Sequence, residues 1–145
     1  MNTWHRVQVK YTKQFTDGTL KRVTEHYLIN AINFTEAESR VHEEIGAHTR
    51  GEFVVKAIKN EDFADIFVYD DAETFYSLKV AYISEDADSG KEKKTINKFL
   101  VQANNINEAC FNIQENLKGL ILSYEVTEVK KSNIIEIYPY KSLED

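Results

Sequence analysis

The chain has 145 residues, 42% of them apolar and 12% aromatic, which suits an ordered globular protein and not a disordered one. A formal charge of −6 argues against tight, sequence-blind binding to duplex DNA, where phosphate neutralisation dominates, but it leaves room for a local basic patch. No apolar run reaches the ~18 residues of a membrane span, the N-terminal residues lack the apolar stretch of a secretory signal, and the single Cys110 forms no intrachain disulfide; together these point to the cytoplasm.

Val7, Val9 and Tyr11 alternate with Arg6, Gln8, Lys10 and Thr12, the period of a half-buried strand. Thr16-Asp17-Gly18-Thr19 is a turn signal, and a second strand runs through Val23, Tyr27, Ile29 and Ala31, so the opening segment reads as a hairpin. Asn33 can cap a helix, with Glu36 three residues on as a capping box requires. Phe34, Ala37, Val41 and Ile45 then recur at spacings of three and four, one helix face, with Gly46 as a plausible end. Two extended runs follow, Glu52 to Ile58 and Ala64 to Tyr69. Asp70 to Thr74 reads as a linker.

The same order then returns. Leu78-Lys79-Val80-Ala81-Tyr82 matches Val7-Gln8-Val9-Lys10-Tyr11, Phe99 to Ala103 matches Tyr27 to Ala31, and Asn105-Ile106-Asn107-Glu108-Ala109 matches Asn33 to Ala37, all at an offset of 71 or 72. Ile106, Ala109, Ile113 and Leu117 repeat the helix face, Gly119 its end, and Tyr124 to Val129 and Ile134 to Tyr140 the last two runs. A period near 70 residues is too long for a solenoid unit. It predicts an α+β protein made by tandem duplication of a ββαββ unit, an antiparallel sheet with one helix per copy, related by a pseudo-two-fold axis. The copies span 1–71 and 72–140, followed by a tail at 141–145; Pro139 should mark a strand end or an edge. Each copy lies near the lower size limit for an independent core, so the halves should depend on each other.

Catalytic and metal patterns are sparse. His5, His26, His42 and His48 form no zinc motif, and one cysteine gives no ligand spacing; they read as ordinary surface histidines. Asp86-Ala87-Asp88-Ser89-Gly90 resembles a calcium loop with its glycine misplaced, and reads instead as a long acidic turn. The acids at Asp62, Asp65, Asp70, Asp71 and Glu73 lack a nucleophile, a Gly-rich loop or a Cys/His pair beside them, so the chain reads as a non-enzyme with no cofactor and no metal.

The basic residues are more informative. Lys21 and Arg22 match Lys93 and Lys94, each pair just after a hairpin turn, with Lys91 adjacent and Lys10, Lys13 and Lys98 able to extend the patch. Cations recurring on an acidic protein suit a phosphate-bearing ligand, although exposed strand lysines also resist edge-to-edge pairing. Aromatics at matched positions fall mostly on the apolar strand phase. Tyr76, Tyr138 and Tyr140 are the candidates for an exposed stacking platform.

The run Val9-Lys10-Tyr11, Asp17-Gly18, Val23-Thr24-Glu25, Tyr27-Leu28, Phe34 to Glu38 and Gly51-Glu52-Phe53, with Ser89 to Lys94 and Leu100 to Ala103, resembles an uncharacterised family, a domain of unknown function found in gut anaerobes and their tailed phages. The resemblance covers nearly the whole chain and implies a small phage or mobile-element protein. It carries over no catalytic residue. The expectation is a non-catalytic binding protein for single-stranded nucleic acid or a nucleotide, through Lys21, Arg22, Lys91, Lys93, Lys94 and Tyr76. The alternative is a protein–protein adaptor or an inhibitor of a host factor. No membrane partner is expected, and a homodimer is compatible with the sequence.

Overall fold

A computed structural model describes residues 3–46, 49 and 51–140; the tail at 141–145 and His48 lie outside the described residues. The protein is α+β, with two helices and two four-stranded, mainly antiparallel sheets. In chain order the elements are β1 (Thr3–Gln14), β2 (Leu20–Ala31), α1 (Phe34–Gly46), β3 (Phe53–Glu61), β4 (Asp65–Phe67), β5 (Thr74–Glu85), β6 (Glu92–Ala103), α2 (Ile106–Asn116), β7 (Ser123–Lys131) and β8 (Ile134–Tyr138).

The chain divides into two compact units whose membership departs from sequence order. One unit holds everything up to Asp62 together with the chain from Asn133 onward; the other is the continuous stretch Phe63–Ser132. The first sheet runs β3-β1-β2-β8 and the second β4-β6-β5-β7. Within the first, β1 is antiparallel to β2 and β3, while β8 lies parallel along β2. Within the second, β5 is antiparallel to β6 and β7, while β4 lies parallel along β6. Each sheet is therefore closed by a strand that the sequence places beside the other one. The connections after β3 and β7 are short, and two β-prone runs a few residues apart ordinarily pair. Here the chain leaves instead: Ala64 N–H donates to the Lys98 carbonyl at 2.7 Å as β4 joins β6, and after Ser132 the chain crosses to place β8 along β2. The sheets consequently are not purely antiparallel. Asp70 to Thr74, read as a linker, is a turn inside the second unit, where the Asp71 carbonyl accepts from Asn104 Nδ2 at 3.1 Å.

Each helix covers one sheet face for the reasons its sequence contains. Asn33 Oδ1 accepts the Glu36 N–H and Asn105 Oδ1 the Glu108 N–H, both at 2.8 Å, which satisfies donors the first turn leaves free. The glutamates reach one residue further back than a standard capping box, to Ile32 N–H at 3.2 Å and Asn104 N–H at 3.3 Å. Ala37, Val41 and Ile45 pack on Val7, Val9, Tyr27 and Ile29; Ala109, Ile113 and Leu117 pack on Tyr76, Leu78, Val80, Phe99 and Val101. The first member of each expected apolar stripe, Phe34 and Ile106, is exposed. Phe34 sits edge-on to His5, which is buried rather than a surface histidine, its Nδ1 3.1 Å from the Thr3 carbonyl. Gly119 follows α2 with φ +89°, a conformation that favours glycine. Pro139 directly follows edge strand β8, where no ladder donor is needed. Among the described residues, no helix is long and apolar enough to cross a membrane.

Candidate functional site

The hairpin β1–β2 outruns its neighbour: β3 stops pairing at Tyr11, so residues 12–14 and 20–22 form a two-stranded ribbon. Register decides where its cations point. Lys13 lies opposite Lys21 and Thr12 opposite Arg22, and side chains alternate between faces, so Lys13 and Lys21 share one face while Arg22 takes the other. The pair Lys21 and Arg22 is thus split across the ribbon. Phe15, 38% exposed, receives both lysines: its ring centre is 5.9 Å from Lys13 Nζ and 5.6 Å from Lys21 Nζ. The shared ring compensates for two like charges placed opposite each other. Arg22 Nη1 donates to Thr12 Oγ1 at 3.4 Å.

The turn at the tip is built by Asp17 and Gly18. Asp17 Oδ1 accepts from Thr19 Oγ1 at 2.6 Å and Thr19 N–H at 3.0 Å, and Gly18, at φ +86°, donates its N–H to the Phe15 carbonyl at 2.9 Å. The Thr19 hydroxyl, then its N–H, holds the Asp17 carboxyl below its ordinary range. That leaves Lys13, Lys21 and Arg22 against one carboxylate in residues 12–22.

The second hairpin differs. Lys93 is opposite Ser84 and Lys94 opposite Ile83, again on opposite faces, while Glu85 lies opposite Glu92. Lys91 and Lys93 line an open concavity of about 580 Å³, but Glu85, Asp86 and Glu92 line it too. Asp86 closes this turn by accepting from Asp88 N–H at 3.0 Å and Ser89 Oγ at 3.1 Å, and those bonds, the Asp88 N–H first, hold its carboxyl low. It therefore acts as a turn carboxylate. Lys91, Lys93 and Lys94 face four carboxylates in residues 84–94, so this tip offers an anion no net attraction.

Of the remaining candidates, Lys98 lies with its Nζ 4.5 Å from the Phe63 ring centre, and Lys10 is half-buried opposite Thr24. Tyr76 is not an exposed platform: it is 6% accessible and belongs to the core beneath α2, because its strand phase is that of Leu78 and Val80. Tyr138 is half-buried and Tyr140 exposed. Residues 3–140 match the family model for a domain of unknown function, DUF4494. The chain belongs to the DUF4494 family. No curated protein and no solved structure matches it. The residue that sequence reasoning missed in this DUF4494 chain is Phe15. It stands two residues from Lys13, and counting the register back from Asp17-Gly18 puts Lys21 opposite Lys13; that count, not composition, is the signal.

Proposed function

We propose that this DUF4494 protein is a non-catalytic, cytoplasmic binding protein of a phage or mobile element, and that it takes single-stranded nucleic acid on the β1–β2 ribbon. Two lysines flanking a partly exposed phenyl ring carry the reading. Single strands bind where cations track the backbone and an aromatic face receives a base, a requirement that a net negative protein can meet locally. Arg22 on the opposite face would follow a strand wrapping the ribbon. The constant offset in sequence and the like strand orders of the two sheets support an origin by duplication of a ββαββ unit with pseudo-two-fold symmetry. On this reading only the first hairpin kept a binding charge. The test is anisotropy of a labelled oligothymidylate with the wild type, with Lys13, Lys21 and Arg22 changed to Ala, and with Lys91, Lys93 and Lys94 changed to Ala. Loss in the first variant alone is expected; equal loss in both sinks the assignment to the ribbon.

A second reading, a protein–protein adaptor or an inhibitor of a host factor, is favoured by one observation. Leu120, Ile121 and Leu122 form an exposed apolar run after α2, with Phe111 also exposed on that helix. If the wild type takes no oligonucleotide or nucleotide even at low salt, a pull-down comparing wild type with Ile121→Asp tests this alternative.

A further inference from the structure

A pocket of about 280 Å³ opens in the first unit, and the aromatic and charged side chains lining it are Tyr11, Tyr27, Tyr138 and Glu136. Its polar groups are arranged around one carboxylate. Tyr11 and Tyr27 both donate their phenolic protons to Glu25 Oε1, the latter at 3.2 Å. Lys13 Nζ stands 3.8 Å from the other oxygen, Oε2. The hydroxyl protons are therefore committed to Glu25, and what the pocket presents is ring faces and oxygen lone pairs. Tyr27 and Tyr138 set their ring centres 6.0 Å apart at 38°, a tilted pair whose planes diverge as a wedge.

The charge around this wedge is negative. Glu25, Glu44 and Glu136 all act on Tyr138, whose phenol burial first, and then those charges, push above its ordinary range. Glu44 is met by Arg40 at 3.6 Å. Glu136 has no ion-pair partner among the described residues; its Oε1 accepts only the Ile137 N–H, at 3.2 Å. Thr49 Oγ1, also in the wall, is buried without a hydrogen-bond partner among the described residues.

The second unit shows that the fold does not need Glu25 or the hydroxyls of Tyr27 and Tyr138. Glu25 lies opposite Val9 at the bulge of the first sheet; the same register of the second sheet pairs Asn97 with Val80. Tyr27 corresponds to Phe99 and Tyr138 to Phe67, and those two phenyl rings stack 5.9 Å apart. The second unit carries phenyl rings where the first has Tyr27 and Tyr138, while Tyr82 and Asp65 stand at the positions of Tyr11 and Glu136. The first unit differs in keeping the Tyr27 and Tyr138 phenols there, beside the Glu25 carboxylate that Asn97 replaces in the second.

We propose that this pocket binds the ammonium head of a small organic cation, seated in the pocket against the rings of Tyr27 and Tyr138 with Glu136 as its counter-charge. Aromatic faces attract cations through the ring quadrupole, and quaternary ammonium groups are held in such ring clusters. The same carboxylates disfavour a phosphate here, so this site takes a ligand of opposite charge from the ribbon's, although Lys13 links the two through Glu25.

The experiment is an NMR titration of the full chain with choline and with its neutral isostere 3,3-dimethylbutan-1-ol, following the tyrosine ring signals. Choline should saturate in the millimolar range or below, and the neutral alcohol should not. Tyr138→Leu should weaken choline about tenfold, the worth of one partly desolvated ring, and Glu136→Gln about fivefold. Glu25→Asn with Tyr27→Phe installs the second sheet's residues but keeps both rings and Glu136, so it should weaken binding less than Tyr138→Leu while the melting temperature holds or rises. Because Glu136 is exposed, its variant folds whatever the double variant does. A peptide carrying trimethyllysine distinguishes the source of the cation: tighter binding than choline assigns a modified side chain, weaker binding a free solute. Equal binding of choline and the neutral alcohol, or no saturable shift with either choline or the peptide, overturns the proposal.

Discussion

Binding of single-stranded nucleic acid to the ribbon should depend on salt with a slope that counts its cations. Lys13, Lys21 and Arg22 stand beyond the end of β3, clear of the covered part of the sheet. Each phosphate neutralised on a single strand contributes roughly −0.7 to the slope of log affinity against log salt, so three contribute about −2. Raising salt from about 50 to about 200 mM should then weaken binding about twentyfold. Lys13 is the uncertain member of the three, since Glu25 Oε2 lies 3.8 Å from its ammonium. A slope near −1.4 would mean that this ion pair survives in the complex. Phe15→Ala should leave the slope alone and weaken affinity at every salt by about 1–3 kcal/mol, the usual worth of one stacked base. Fluorescence anisotropy of a labelled oligothymidylate, repeated across the salt range for wild type, Phe15→Ala and the triple alanine variant, separates the two contributions. A wild-type slope no steeper than that of the triple variant would refute the reasoning, because the ribbon charges would then meet no phosphate.

Three further outcomes follow from the packing. Arg6 Nε sits 3.1 Å from Glu61 Oε1, with Glu61 nearly buried, so Arg6→Leu should cost about 2–3 kcal/mol in urea denaturation, discounted from a fully buried pair because Arg6 keeps some solvent, and adding Glu61→Leu should recover most of it. The Tyr11 phenol is pushed up to about 12 by burial and by Glu25, so the native state holds a proton that the unfolded chain releases above pH 10; stability is full below pH 10 and should fall by about 1–2 kcal/mol, after solvent screening, as pH rises towards 12, and Tyr11→Phe should flatten that decline in pH-dependent melts. The continuous stretch 63–132 contains a whole sheet and its helix, whereas 1–71 lacks β8 and carries β4 without its partner strand; dispersed amide signals are expected from the first fragment and not from the second, and the reverse would show that strand membership has been misjudged.

Local signals in the sequence were strong. Asn33 with Glu36 and Asn105 with Glu108 announced both helix starts, and the alternation through Val7, Val9 and Tyr11 gave strand faces that hold in the structure. The pairing of β4 and β8 was not legible. Nothing in Ala64 to Tyr69 or Ile134 to Tyr140 distinguishes a strand that turns back on its predecessor from one that joins a different sheet, since both need only a short β-prone run and a free edge. Tyr76 was misplaced for a related reason: in Phe75-Tyr76-Ser77-Leu78 either aromatic could set the phase, and the helix-covered face is decided by packing with Ala109 and Ile113. The lysines at the hairpin tips were found, but their neutralisation by Glu85, Asp86 and Glu92 emerges only when the turn folds them into one concavity. Likewise, Glu25, Tyr27 and Tyr138 come together only because β8, the last strand of the chain, pairs with β2.

That last pairing also imposes an order of events on synthesis. A ribosome releases residues from the N-terminus, and the first sheet cannot be completed until Tyr138 has emerged. The second unit, continuous in the chain, has all its residues available after Ser132. The earlier-made half of the protein is thus the later to close. Through that interval β2 carries a bare edge of unpaired amides and carbonyls, the kind of template that recruits a neighbouring chain. The short β8 is the latch that ends this exposure, and a product cut before Ile134 would be sticky rather than merely shortened.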